Sequence, residues 1–150
     1  MNPFTAGGIR CPEAYAQGKM LDHSWWSEKM RGRITPSDID MVVESYGCFL
    51  WCEISRDKET IFEMSRGQKI LLTNLSRLPG VHCVAVLCHE LMSGSKQIDT
   101  ANDIKTATVY FDGGAEVTTL TPDEWRGFAC AWTFNPTNAV AKWLRCKVAM

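Results

Sequence analysis

The run Val81-His82-Cys83-Val84-Ala85-Val86-Leu87 is almost continuously apolar. A half-exposed strand alternates apolar and polar residues, so a run without alternation predicts a strand buried on both faces. Such a strand needs a packed layer on each side of its sheet. A chain of 150 residues is long enough to supply those layers without disulfide or metal staples.

The remaining signals arrange themselves around this strand. Pro12 opens a short helix over residues 12–21, with the proline in its first turn. Residues 37–44 read as a strand, Ser45-Tyr46-Gly47 as a turn, and residues 48–54 as a second strand. β-Branched and aromatic residues on both sides of a Gly-containing turn are a hairpin signature. Residues 55–65 are charged and read as a loop. Residues 67–78 carry Ile70, Leu71, Leu75 and Leu78 at helical spacing, and Pro79-Gly80 stops them. Beyond the buried strand lies a polar segment over residues 92–102. Residues 104–111 and 115–120 then alternate as strands around an Asp112-Gly113-Gly114 turn. Thr121-Pro122-Asp123-Glu124 is a helix start: a Thr cap, Pro at the first helical position and acids in the first turn. A last helix is expected over residues 138–148. The order α-β-β-α-β-β-β-α-α predicts one α/β domain over residues 1–150, a mixed central β-sheet with flanking helices.

Composition narrows the class. Apolar residues make up 45% and charged residues 22%, an ordinary globular balance. No apolar run approaches the ~18 residues that span a bilayer. Met1-Asn2-Pro3-Phe4 lacks the basic start and apolar segment of a secretory leader. A cytoplasmic protein with no membrane partner is expected. Cysteines stand at positions 11, 48, 52, 83, 88, 130 and 146, an odd number with no CxxC pair. They read as small buried thiols in a reducing compartment, with zinc binding as the lesser alternative. The net charge of −1 excludes a global electrostatic attraction to nucleic acid and leaves only a local basic face. Arg31, Arg33, Lys58, Arg66, Lys69 and Arg77, with Trp25 and Trp26, could build that face by charge and stacking. Scattered solvated cations beside a packing Trp pair explain them equally well. His23, His82 and His89 read as structural. Trp125, Phe128, Trp132, Trp143 and Leu144 read as core packing or a dimer face.

Chemistry concentrates in the hairpin. Side chains alternate along a strand, so Asp38, Asp40, Val42 and Glu44 share one side of the first strand. Phe49, Trp51, Glu53 and Ser55 share one side of the second. A turn at Tyr46-Gly47 brings Asp40 and Glu53 opposite each other. Two carboxylates so placed repel unless a proton or cation lies between them, and oxygen donors of this kind suit Mg²⁺ or Mn²⁺. The plain alternative makes the aspartates strand-start residues and Glu53 a solvated edge acid. Against it, Glu53 ends the apolar stretch Phe49-Leu50-Trp51-Cys52, where a lone acid needs a partner or a metal.

Ser37-Asp38-Ile39-Asp40, the hairpin, Cys52-Glu53-Ile54-Ser55 and then Arg66-Gly67-Gln68-Lys69 resemble the PD-(D/E)xK nuclease superfamily. The likeness is to its small phage-type nucleases and Holliday-junction resolvases, and it covers about residues 10–90. It implies a restriction-endonuclease-like fold and a metal-dependent nuclease-like phage protein acting on DNA in the host cytoplasm. It makes Asp40 and Glu53 metal ligands, with the Ile54 carbonyl as a third, and Gln68 a helix residue reaching back to the site. A helix acid such as Glu13 is a candidate upstream carboxylate. Homodimers are expected from the junction-cutting members.

One position departs from the pattern. Ser55 stands where these nucleases carry the lysine that positions the attacking water, and a hydroxyl cannot supply that positive charge. Three explanations compete. The role has moved to Lys69; Arg56 or Lys58 folds in from the loop; or catalysis is lost. In the last case the fold works by binding DNA or by inhibiting a host protein.

Overall fold

A computed structural model describes residues 39–89, 98–145 and 147. The chain divides into two compact units, Met1–Pro36 and Ser37–Met150, and every described residue belongs to the second. The expected helix over residues 12–21, Glu13, His23, Trp25, Trp26, Arg31 and Arg33 lie outside the described residues.

Five strands form one sheet in sequential order: β1 (Met41–Ser45), β2 (Cys48–Ser55), β3 (Cys83–His89), β4 (Ile104–Phe111) and β5 (Glu116–Leu120). Only β2 and β3 run parallel; the other neighbours are antiparallel. The parallel pair needs a crossover, supplied by helix α1 (Arg66–Ser76). Helix α2 (Pro122–Phe134), a short α3 (Pro136–Ala139) and a π-helical stretch (Val140–Arg145) follow β5. The expected α/β class, an open mixed sheet with flanking helices, is what forms.

Every residue of β3 is buried, as its unbroken apolar run requires. On one face of the sheet, α1 and the loop before it pack Ile61, Met64 and Leu72 against Val84, Val86 and Tyr110. On the other, Trp125, Phe128, Trp132 and Leu144 pack against Leu50, Cys52, Ala85, Leu87 and Val109. Trp125, Phe128, Trp132 and Leu144 are therefore core packing, with Trp143 packed against them, while Phe134 is exposed. Burying a Phe-sized side chain stabilises a fold by about 1.5–3 kcal/mol, so this face carries much of the cohesion.

Local chemistry adjusts the expected boundaries. Of the strand expected from residue 37, residues 37 and 38 lie outside the described residues; β1 begins at Met41, after a bend at Asp40, whose side chain takes a backbone N–H of β2. Helix α1 stops at Ser76, capped by Arg77, because Pro79 disfavours helical geometry at Leu78. The expected loop over residues 55–65 holds a 3-10 turn, Ile61–Glu63, fixed by reciprocal Thr60 and Glu63 capping contacts. The last helix starts at Pro136, not 138, with the Asn135 side chain capping Asn138. The Thr121 start forms as expected, with its side chain and that of Glu124 exchanging backbone bonds.

Candidate functional site

The hairpin register sets the site. Tyr46 and Gly47 form a two-residue turn with φ of 51° and 76°, the doubly left-handed geometry that matches strand twist. Ser45 then pairs with Cys48, Val43 with Leu50 and Met41 with Cys52. The ladder ends there: Asp40 stands at a bend just before β1, and Glu53 follows Cys52 on β2. Cys52 packs on the α2 side of the sheet, so its neighbour Glu53 faces α1.

The two acids differ in environment. Asp40 is exposed, and its Oδ2 accepts the Ile54 N–H at 2.7 Å. Glu53 is buried, with 6% exposure. Its Oε1 accepts a hydrogen bond from Gln68 Nε2 at 2.5 Å. Ile54 thus meets Asp40 through its amide. Burial holds the Cys52 thiol far above its ordinary range, and the charges of Cys83 and Asp40 push it the same way.

Gln68 reaches Glu53 because of a residue that the sequence reading passed over. Ser65 caps α1: its Oγ accepts the Gln68 N–H at 3.4 Å and donates to Gln68 Oε1 at 3.0 Å. That second bond turns the amide so that its nitrogen faces the carboxyl. The signal was present, since Ser65-Arg66-Gly67-Gln68 has the spacing of a capping box.

The cationic candidates fall elsewhere. Lys69 is half-buried on α1, turned from Gln68 by the helical step of about 100°. Leu72 and Leu75 continue the Gln68 face onto the sheet, which leaves Lys69 on the flank of the helix. Arg56 is exposed, and its carbonyl accepts from the Cys88 thiol. Ser55 Oγ donates to Asp57 Oδ1 at 3.3 Å and accepts the Lys58 N–H at 3.1 Å, closing the turn that leaves β2. His82 has a structural part: its Nδ1 accepts the Phe49 N–H at 3.1 Å and its ring packs on Phe49 and Trp51.

Among the described residues no group of three or more His, Cys, Asp or Glu converges as a metal cage. The two acids at the end of the β1–β2 ladder are Glu53, held by Gln68, and Asp40, held on the amide of the next residue, Ile54. Mg²⁺ binds through one or two carboxylates and keeps several waters, so a pair of this kind fits a hard hydrated cation and not a fully enclosed one. Among the described residues no helix is long and apolar enough to cross a membrane. No family model, curated protein or solved structure matches the chain.

Proposed function

We propose that the chain is a nuclease-like protein of the PD-(D/E)xK kind that acts on DNA in the host cytoplasm with Mg²⁺ or Mn²⁺. The observation that carries this reading is the bond from Gln68, on the crossover helix, to the buried Glu53, beside the Ile54 amide that Asp40 holds. Asp40, Glu53 and the Ile54 carbonyl would hold the cation. When bound, it would polarise a phosphate oxygen and acidify water. Gln68 holds the Glu53 carboxyl in one orientation, and Ser65 holds Gln68. Lys69 is the candidate source of positive charge in place of the missing lysine.

The second reading is a catalytically inactive relative that binds DNA or a host protein. Ser55 favours it, because its hydroxyl is occupied within its own turn and supplies no charge.

The test is cleavage of labelled linear, branched and single-stranded DNA with Mg²⁺ or Mn²⁺, beside Glu53→Gln, with circular dichroism to verify folding. Metal-dependent cutting that Glu53→Gln removes and Lys69→Ala weakens supports the first reading. No cutting with DNA still bound supports the second. Absence of both cutting and DNA binding in the folded chain would overturn the nuclease reading.

A further inference from the structure

Strand β1 ends the sheet, and among the described residues it hydrogen-bonds on one side only, to β2. Natural edge strands are blunted by Lys, Pro or bulges, because free N–H and C=O groups template another strand. Met41–Ser45 has none of these; its only charge is Glu44.

Beside this edge, on the face away from Glu53, a cleft of about 170 Å³ opens between β1 and α2. Met41, Val43 and Leu50 form its floor, and Trp125, Ala129 and Thr133 of α2 its wall. None of its lining residues is charged. The Ser45 Oγ bond to the Thr133 carbonyl, 3.1 Å, ties strand to helix at one end. At the other, Trp125 Nε1 donates to the Thr100 carbonyl at 2.8 Å. A cavity of about 150 Å³ accommodates a benzene-sized group, so this cleft suits one large apolar side chain.

We infer that the β1 edge and this cleft together bind an extended segment of another protein, which adds as a sixth strand. The edge supplies backbone hydrogen bonds and the cleft reads one alternate side chain. The opposite face sets a second requirement. Val42 is 49% exposed and Glu44 is exposed, with its Oε1 on the Gly47 N–H at 2.6 Å. A residue next to the apolar one on the added strand would stand across from Glu44, where opposite charge stabilises. The segment therefore carries a large apolar residue beside Lys or Arg. A second copy of this chain fits less well. Antiparallel pairing about Val43 sets Val42 of one copy against Glu44 of the other and crowds the acids of both onto one face.

The inference is independent of the carboxylate site, and its test leaves that site intact. A random decapeptide library displayed on yeast is selected on the full chain and counter-selected on Ala129→Leu, which fills the cleft. Expected is enrichment of extended peptides with a large apolar residue beside Lys or Arg. A synthetic peptide of that consensus should shift the amide resonances of Met41–Ser45. Ala129→Leu should bind it at least tenfold more weakly. The surface variant Glu44→Lys should weaken it about fivefold, as expected for losing an opposite-charge pair and gaining a like-charge one. No enrichment, equal binding by both variants, or shifts elsewhere overturns the inference. So does a homodimer abolished by Glu44→Lys, or cross-strand contacts from residues 1–38 to β1 in the free chain.

Discussion

A methyl group added at Gly127 tests how the C-terminal helices are fixed. Gly127 lies inside α2, where the Trp143 ring crosses its backbone. A Cβ there would stand 2.4 Å from Trp143 Cη2 and 2.5 Å from Cζ2, about 1 Å inside ordinary contact. Two effects oppose each other. Alanine in place of glycine in a helix interior stabilises by about 1 kcal/mol. Forcing an extra carbon into a packed site costs about 1–3 kcal/mol. The ring is rigid and half-buried, with Lys142 Nζ 5.2 Å from its centroid, so it yields only by moving as a unit. The steric cost wins, and Gly127→Ala should destabilise by roughly 1 kcal/mol net. In a Trp143→Ala background the obstruction is gone, and the same substitution should stabilise by about 1 kcal/mol. Urea unfolding of the four proteins gives the coupling directly, expected at about 1–3 kcal/mol. Equal stabilisation by Gly127→Ala in both backgrounds would refute the steric argument. Trp143 would then not be what holds Val140–Arg145 against α2.

Three further outcomes are expected. Tyr46 pays for a left-handed φ that Asn adopts more readily, and it is 81% exposed, so Tyr46→Asn should raise stability by about 0.5–1 kcal/mol in urea unfolding. The Lys147 hydrogen bond, with the Thr121 N–H, holds the Glu124 carboxyl below its ordinary value of 4.5. Its folded pKa is lowered, so its stabilisation is present above pH 4.5 and disappears as pH falls through the folded value. The gap in melting temperature between wild type and Glu124→Gln should shrink accordingly, and a pH-independent gap would contradict it. Among the described cysteines, alkylation of the native chain, read by peptide mass mapping, should label Cys130 first and leave Cys52 and Cys83 unmodified until unfolding. Burial excludes reagent from both, and it pushes the Cys83 thiol up to about 12.

The fold was legible where one physical requirement dominated a segment. The unbroken apolar run predicted a doubly covered strand, and β3 is buried throughout. A two-residue turn leaves one hairpin register, so the pairing of Met41–Ser45 with Cys48–Cys52 followed from the turn at Tyr46-Gly47. Boundaries failed where side chains competed with backbone, as Asp40 does on the Ile54 amide. Within the π-helical stretch, Trp143 meets Gly127 sixteen positions away, a long-range contact that no local pattern encodes. The β1 cleft was invisible for the same reason, since its floor and wall come from segments some eighty residues apart.

The question of the missing positive charge turns on how the neighbouring positions are already used. At the end of β2, Ser55 is held by Asp57 and the Lys58 amide, so Ser55→Lys would remove the oxygen that closes this turn. A gain in cleavage from that variant would mean that added charge outweighs a loosened loop; no gain would leave the two effects undivided. Lys69 offers the cleaner substitution. It is a half-buried helix residue with no packing duty comparable to Leu72, which is 1% exposed. Lys69→Ala removes charge while keeping a good helix former, and Lys69→Arg keeps charge while changing reach. If the proposed site cuts, rescue by Arg distinguishes a need for charge at this flank from a need for lysine itself. Loss in both variants with DNA binding intact would place Lys69 in the reaction rather than in attraction of the backbone.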